Sequence, residues 1–183
     1  MRLFTALDLP GEIRGKLEEL LVRLRPAAPI HWIPPANLHI TTKFIGEWPE
    51  ERLEELKSSL AGIAVRDPIA VHIKDLGAFV NPRKPRIFWC GVDAPALAAL
   101  AADTEAATSA LGIASGEHAY SPHLTLARIK DGFDMTALRT VVVAESSLDF
   151  GSFEAHSFNL YQSRPGAGGS VYTKLAEFPL SRP

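Results

Sequence analysis

The sequence predicts an α+β fold with two pseudo-symmetric β-α-β-α-β lobes, whose mainly antiparallel sheets flank a central cleft. One observation behind this prediction is that matching segments recur at a fixed spacing, which indicates an internal duplication. The other is that short connections join the predicted elements, which favours antiparallel strands with helices outside over a doubly wound parallel sheet. The 183 residues suit one domain, so we predict a single bilobal domain over 1–183.

The fixed spacing is 84 residues (123 − 39), and it relates approximate pseudo-repeats at 2–84 and 86–178. Four kinds of feature share it: a histidine, the start of a helix, the start of a strand, and an arginine that precedes a strand. The pairs are His39 with His123, Gly11 with Pro95, Ile69 with Phe153, and Arg2 with Arg86. This regularity predicts that an approximate two-fold axis relates the lobes.

Hydrophobic periodicity and proline or glycine breaks predict the elements of each pseudo-repeat. The first contains a strand at Leu3–Leu7, a helix at Glu12–Leu24, a strand with His39, a helix from Trp48 with an apolar stripe to Ile63, and a strand at Ile69–Leu76. The second contains Ile87–Cys90, Pro95–Leu111, a strand with His123, a helix at Met135–Glu145 and a strand at Phe153–Gln162. A glycine-rich loop at Arg164–Gly169 and a closing strand at Val171–Phe178 complete the prediction.

Two H-x-T motifs, His39 with Thr41 and His123 with Thr125, lie within strand-forming residues. Residues i and i+2 of a strand point to the same side, so each motif should present an imidazole and a hydroxyl on one face. The residues predicted on the opposite faces are Leu38, Ile40, Phe44, Leu124 and Leu126. The duplication predicts that the two polar faces lie across the cleft from each other.

Composition and charge limit the other functions of the chain. A net charge of −2 provides no overall positive field for nonspecific nucleic-acid binding. Cys90 is the only cysteine, so no disulfide forms within the chain, which suits a reducing compartment. The N-terminal apolar run is too short for a signal peptide, and no stretch approaches the ~20 apolar residues of a membrane span. We therefore expect a cytoplasmic protein with no membrane partner and no obligatory protein partner.

Two histidines that face one gap can carry out paired acid–base chemistry. Because imidazole titrates near ~6.5, one ring can remove a proton while the other donates one. A threonine hydroxyl beside each ring can bind an anionic oxygen. The arrangement suits in-line attack on a phosphoryl group, and a strained cyclic phosphodiester requires no metal. A metal site is less favoured because neither motif has a nearby Asp, Glu or Cys, so we predict no metal and no cofactor.

The residues around both motifs resemble the 2H phosphoesterase superfamily, in its RNA 2′,3′-cyclic phosphodiesterase branch, also called the 2′-5′ RNA ligase family. The matching segments are 38–46 (LHITTKFIG), 122–128 (PHLTLAR), 4–8 (FTALD) and Trp32. The resemblance implies the bilobal 2H phosphoesterase fold and hydrolysis of a terminal 2′,3′-cyclic phosphate of RNA to a 2′-phosphate. Thr42 departs from the family pattern, which usually has an apolar residue there, but it should face away from His39.

The resemblance also implies roles for the motif residues. His39 would be the general acid that protonates the departing 3′ oxygen, His123 would be the general base that activates water, and Thr41 and Thr125 would bind phosphate oxygens. The symmetry of the motifs does not itself distinguish the acid from the base.

Two basic residues near the motifs are further candidates for binding phosphate. Arg128 resembles a family arginine that binds phosphate, although strict alternation places it opposite to His123, so its strand must contain a bulge or twist. Lys43 shares the His39 face by alternation and could neutralise phosphate, but a solvated lysine is an equally good interpretation.

Several alternatives stay open at this stage. The substrate could be an RNA end or oligonucleotide with a cyclic phosphate, a small cyclic nucleotide, a 2′-5′-linked oligonucleotide or an ADP-ribose cyclic phosphate, with weak ligation in reverse. A non-catalytic nucleotide-binding module is a third interpretation. Four aromatic residues could stack a base or simply pack: Phe4, Trp32, Tyr120 and Tyr161. Three basic residues could guide an RNA backbone or be solvated: Arg83, Lys84 and Arg86.

Overall fold

Nine strands form two antiparallel sheets, and four helices pack against them, in a computed structural model that describes residues 1–63, 65–79, 86–130 and 132–181. The first sheet has the order β3-β1-β8-β9, and its strands are β1 (Arg2–Leu7), β3 (Ile40–Glu47), β8 (Ser157–Gly166) and β9 (Gly169–Pro179). The second has the order β2-β6-β5-β4-β7, and its strands are β2 (His31–Trp32), β4 (Ile69–Phe79), β5 (Arg86–Asp93), β6 (His123–Ile129) and β7 (Asp149–Ala155). The predicted α+β class with antiparallel sheets is confirmed.

The helices bury the apolar stripes that the sequence predicts. Their bounds are α1 (Gly11–Leu24), α2 (Leu53–Ala61), α3 (Leu97–Ser109) and α4 (Thr136–Ala144). On α1 the buried residues recur every three or four positions and are at most 3% exposed: Ile13, Leu17, Leu20, Leu21 and Leu24. Both sheets and all four helices contribute to one hydrophobic core, in which Cys90 is fully buried. None of the helices in the described part of the chain is long and apolar enough to cross a membrane.

The two lobes do not coincide with the two halves of the sequence. β4 ends the first half but pairs with β5 in the second sheet, while β8 from the second half pairs with β1 in the first. Six residues, 80–85, separate β4 from β5, and such a short connection favours a hairpin within one sheet. The helices cross over as well, because α1 contacts β7 and α3 contacts β3. Each lobe is therefore built from both halves of the chain.

Three predicted elements differ from the structure. The single strand expected at Phe153–Gln162 is two strands, β7 and β8, which separate at His156 and enter different sheets. The segment Arg164–Gly169 forms the hairpin connection that the glycine cluster predicts, but its loop is shorter than expected, because β8 continues to Gly166, which pairs with Gly169. The helix expected from Trp48 begins at Leu53, after a 3-10 turn at Glu50–Arg52. Periodicity alone does not reveal a one-residue break between two consecutive strands.

Candidate active site

A β-bulge in β3 determines which side chains share a face with the first motif. Thr41 pairs with Ala6 of β1 and Lys43 pairs with Thr5, so Thr42 is an extra residue between them. The bulge shifts the alternation by one position. Thr41 and Phe44 consequently share one face of the first sheet, and Lys43 lies on the other. The predictions that Lys43 shares the face of the motif and that Phe44 lies opposite to it are wrong for this reason.

Lys43 points into the protein, where it joins β3 to the helix and loop that precede β6. Its side chain is 6% exposed, and its Nζ donates to both carboxylate oxygens of Glu105 on α3, at 2.9 and 2.7 Å. A third hydrogen bond runs to the carbonyl oxygen of Ala114 at 2.9 Å. These contacts use all three ammonium protons, so Lys43 is a structural residue and does not face the cleft. Thr42 also faces the interior, as predicted, and bonds the buried Thr5 hydroxyl at 2.7 Å.

An equivalent bulge in β6 places Arg128 beside the second motif. Thr125 pairs with Trp89 of β5 and Ala127 pairs with Phe88, so Leu126 is the extra residue. Arg128 therefore returns to the face that carries His123 and Thr125, and it is exposed. The bulge that the sequence required before Arg128 is confirmed. Thr42 and Leu126 are themselves 84 residues apart (126 − 42), so both halves deform at the same point.

The His39 ring is held by one backbone carbonyl, one hydroxyl and two aromatic rings. Nδ1 lies 2.7 Å from the Asn37 carbonyl oxygen, and because a carbonyl only accepts hydrogen bonds, Nδ1 carries a proton. In the neutral ring Nε2 is then unprotonated and accepts from the Thr41 hydroxyl at 3.0 Å. The ring centre lies 4.9 Å from that of Phe4 and 5.3 Å from that of Tyr172. Nε2 is therefore the nitrogen that can exchange a proton with a substrate.

His123 repeats this geometry in the second half. Its Nδ1 donates to the carbonyl oxygen of Ser121 at 2.9 Å, again two residues earlier in the chain. The ring is half-buried, as is Thr125 on the same face of β6. The two histidines thus adopt the same tautomer, in which Nδ1 carries the proton of the neutral ring and Nε2 is the basic nitrogen.

The two motifs lie close enough to influence each other. β3 and β6 contact each other between the sheets, and the Tyr120 hydroxyl donates to the Thr41 carbonyl oxygen at 3.0 Å, joining the segment before His123 to the first motif. Burial lowers the pKa of His39 below its ordinary value, and the positive charges of Arg128 and His123 lower it further. The hydrogen bond to Asn37 and the Asp8 carboxylate oppose this pKa shift.

Asp8 belongs to a charged cluster at the edge of the aromatic group around His39. It accepts a hydrogen bond from the Tyr161 hydroxyl at 2.5 Å and another from Lys174 Nζ at 2.7 Å. Burial alone would raise the pKa of Asp8, but these two hydrogen bonds, together with the positive charges of Lys174 and Arg14, outweigh it and lower the pKa. Asp8 is therefore a carboxylate near neutral pH, and its negative charge favours a protonated His39.

The other aromatic candidates divide between the cleft and the core. Phe4 stacks on Tyr161 with ring centres 5.4 Å apart, on the same face as His39. Trp32 packs edge-on against Phe88 at 5.9 Å and donates its Nε1 proton to a carbonyl at 2.8 Å, so it is a partly buried residue that packs against the core. Tyr120 joins the two motifs, as described above. Among the basic candidates, Arg83 and Lys84 lie outside the described residues.

Three neighbours of the site were missed by the sequence reasoning. Tyr172 contacts His39, and the Asn37 side chain donates to the Ser170 carbonyl oxygen at 2.7 Å, which fixes the β8–β9 hairpin beside the first motif. His31 pairs with Arg128 across β2 and β6. These contacts join residues far apart in the chain, and no local pattern indicates them. Within residues 1–63, 65–79, 86–130 and 132–181 no group of three or more His, Cys, Asp or Glu side chains could hold a metal ion.

Comparison with known proteins identifies the family. The model of the LigT like Phosphoesterase family matches residues 7–89 and 92–172. A protein of Archaeoglobus fulgidus named RNA 2′,3′-cyclic phosphodiesterase is 34% identical over 97% of this chain and 99% of its own length. A protein of the same name from Methanocaldococcus jannaschii is 32% identical over 97% of this chain and 100% of its own. The crystal structure of E. coli LigT complexed with 3′-AMP superposes with a TM-score of 0.81, at 27% identity, over 99% of this chain and 98% of that one. The chain therefore belongs to the LigT-like phosphoesterase family.

Proposed function

We propose that the chain is an RNA 2′,3′-cyclic phosphodiesterase that hydrolyses a terminal cyclic phosphate to a 2′-phosphate by paired histidine catalysis without a metal. The observation that carries this proposal is the shared tautomer of His39 and His123, each with Nδ1 donating to a carbonyl two residues earlier. Two imidazoles that present Nε2 from facing strands suit the removal of a proton on one side of a phosphate and its delivery on the other. The relatives named RNA 2′,3′-cyclic phosphodiesterase support the phosphodiesterase activity itself.

The proposed reaction is a single in-line displacement. Nε2 of His123 takes a proton from water as the water oxygen bonds to phosphorus, and the bond between phosphorus and the 3′ oxygen breaks. Nε2 of the protonated His39 gives its proton to that 3′ oxygen, which leaves a 2′-phosphate and a 3′-hydroxyl. Thr41 and Thr125 donate hydrogen bonds to the non-bridging oxygens, and these bonds strengthen as negative charge develops.

A bound phosphate increases the fraction of His39 that carries the proton it must donate. Burial and the neighbouring positive charges lower the pKa of His39 when the cleft has no anion. A phosphodiester between the rings adds a negative charge, which favours the imidazolium form and raises this pKa. Arg128, on the same face as His123, compensates the charge of the phosphate. The substrate therefore helps to establish the protonation state that its own cleavage needs.

The decisive assay uses an RNA oligonucleotide with a 2′,3′-cyclic phosphate end, incubated with purified protein in EDTA. We expect a 2′-phosphate product, identified by comparison with authentic 2′- and 3′-phosphate standards. His39→Ala and His123→Ala should each lower kcat by about 10²-fold or more. His72→Ala is the matched control, because His72 lies on β4, outside the motifs, and hydrogen-bonds Asp149 of β7. A 3′-phosphate product, a wild-type rate in either motif variant, or activity that EDTA abolishes would overturn the proposal.

A smaller substrate is the second candidate. E. coli LigT was crystallised in complex with 3′-AMP, which supports binding of a single nucleotide by this chain. Comparing kcat/KM for the RNA oligonucleotide with that for adenosine 2′,3′-cyclic phosphate distinguishes the two. Equal values would show that the enzyme reads only the terminal nucleotide, whereas a strong preference for RNA would require contacts beyond it.

A further inference from the structure

His31 is an exposed histidine at the edge of the cleft, one strand beyond Arg128. It lies on β2, the edge strand of the second sheet, and it pairs directly with Arg128 of β6. Residues directly opposite each other on neighbouring strands point to the same face, with Cβ atoms about 4.5–5.5 Å apart. Because Arg128 shares the face of His123 and Thr125, His31 extends this basic face away from the second motif.

The neighbours of His31 hold β2 in place without the imidazole ring. Trp32 points to the opposite face, where it packs edge-on against Phe88, and the Ile33 amide donates to the Leu126 carbonyl oxygen at 2.8 Å. A protonated imidazole directly opposite a guanidinium does not stabilise a sheet, because like charges repel at that distance. Packing and pairing therefore give no reason for a basic residue at position 31.

The β8–β9 hairpin belongs to the first sheet, but its tip borders His31 of the second. A Cβ atom added to Gly169 would lie 3.6 Å from Cε1 and 3.8 Å from Nε2 of the ring. Gly169 has a φ of +117°, which glycine adopts readily, and the Asn37 side chain holds the next residue, Ser170, at 2.7 Å. Both Arg128 and this hairpin tip are thus neighbours of the exposed ring.

The proposed reaction places one phosphate at the motifs, where Arg128 compensates its charge. An RNA end with a cyclic phosphate continues only through its 5′ oxygen, which carries a second phosphate. A cyclic mononucleotide lacks this second phosphate. An exposed histidine beside Arg128, but one strand farther from the second motif, suits the second anion, because imidazole offers an N–H donor whether it is neutral or protonated.

We propose that His31 binds the phosphate on the 5′ side of the terminal nucleotide, so that the enzyme prefers oligonucleotides to cyclic mononucleotides. This inference rests on the proposed function and adds a residue that contacts the substrate beyond its terminal nucleotide. A contact to phosphate carries no direct information on base sequence. The preference should consequently depend on the negative charge of the linkage and not on the bases beside it.

The test uses substrates that differ in this one phosphate. They are adenosine 2′,3′-cyclic phosphate, the dinucleotide ApA with the same cyclic end, and that dinucleotide with an uncharged methylphosphonate linkage. The wild-type protein should have its lowest KM for the charged dinucleotide. His31→Ala should raise this KM by about 5- to 30-fold, as for loss of a partly exposed charge-assisted hydrogen bond, with kcat within about threefold. KM for the other two substrates should not change.

Two further variants serve as controls. His31→Arg keeps a positively charged donor at the position and should preserve the preference for the charged dinucleotide. His156→Ala removes another exposed histidine, whose side chain is 67% exposed at the break between β7 and β8. This second variant should leave KM unchanged for every substrate.

The outcomes separate this inference from the proposed function. Equal wild-type KM values for the charged and uncharged dinucleotides, an unchanged KM in His31→Ala, or an equal loss on all substrates would overturn the phosphate contact while the enzyme remained active. Absence of turnover by the wild-type protein would instead overturn the proposed function. In that case equilibrium binding of ApA with a 2′-phosphate end still tests the contact. His31→Ala should weaken that binding by the same factor, without weakening the binding of adenosine 2′-phosphate, and unchanged binding of the dinucleotide would refute the inference.

Discussion

Lys43 and Arg128 provide the sharpest test of the two bulges, because simple alternation assigns both faces incorrectly. We expect Arg128→Met to impair catalysis without affecting stability, and Lys43→Met to do the reverse. Loss of a charge-assisted hydrogen bond to phosphate costs about 1.5–3 kcal/mol, which lowers kcat/KM by about 10- to 150-fold. The Arg128 side chain is exposed, so the free energy of unfolding should change by less than about 0.5 kcal/mol.

Lys43→Met removes a buried ammonium from three hydrogen bonds, two to Glu105 and one to Ala114. Breaking a fully buried ion pair costs about 3–5 kcal/mol, but the Glu105 side chain is 34% exposed and water can replace part of the interaction. We therefore expect a loss of about 2–3 kcal/mol, or about 4–12 °C in Tm for a chain of this length. Lys57→Met is the control, because the pair of Lys57 with Glu54 lies on the surface of α2.

The measurements are thermal unfolding followed by circular dichroism and kcat/KM at 20 °C with a cyclic phosphate substrate. The hydrogen bond from Lys43 lowers the pKa of Glu105 below its ordinary value of 4.5. A lowered carboxyl pKa contributes stability above the unfolded pKa, and that contribution disappears as the pH falls through the folded pKa. The difference in stability between wild type and Lys43→Met should therefore narrow below about pH 4.5. A folded Lys43→Met protein with more than tenfold lower kcat/KM, or a fully active Arg128→Met, would refute the assignment of faces.

Three further predictions test the site and the core. Asp8→Asn should lower the pKa of His39 further, because a negative charge that favours imidazolium is removed. If His39 is the acid, the alkaline limb of the pH profile of kcat/KM should therefore shift to lower pH. Movement of the acid limb instead would make His39 the base, and two unmoved limbs would rule out an electrostatic effect of Asp8 on His39. Tyr120→Phe should lower Tm by about 2–8 °C, since the Thr41 carbonyl loses a hydrogen bond of about 1–2 kcal/mol, and unchanged calorimetric unfolding would contradict this. Iodoacetamide at pH 8 should alkylate Cys90 only after unfolding, because burial raises the pKa of the thiol to about 12; rapid labelling of native protein, detected by mass spectrometry, would count against a core position.

The residues of the two motifs could be found without coordinates because their signals are local. His39 and Thr41, like His123 and Thr125, satisfy the i, i+2 rule before any bulge intervenes. The stripe of α1 likewise depends on spacing within a single helix. Alternation also indicated that Arg128 could face the motif only if its strand contains a bulge. The position of that bulge, between Thr125 and Ala127, becomes visible only through the pairing with β5.

Lys43 and Phe44 show where this reasoning stops. The faces on which Lys43 and Phe44 lie depend on whether Thr42 pairs with a residue of the neighbouring strand. That strand is β1, which lies more than thirty residues earlier in the chain. The contacts of Tyr172 and Asn37 are longer in range still, because the β8–β9 hairpin belongs to the second half of the sequence. No pattern in a single strand contains this information.

The amino-acid sequence by itself determined the elements, the repeated H-x-T motifs and the class of chemistry they suit, because periodicity, turn residues and side-chain types act over a few neighbouring positions. Only the tertiary structure decided how the two halves exchange strands and helices, which faces follow the bulges, and that an aromatic ring occupies one side of the cleft where a guanidinium occupies the other. Those features arise from pairing between distant strands, whose register is set by the whole sheet and not by the residues of any one segment.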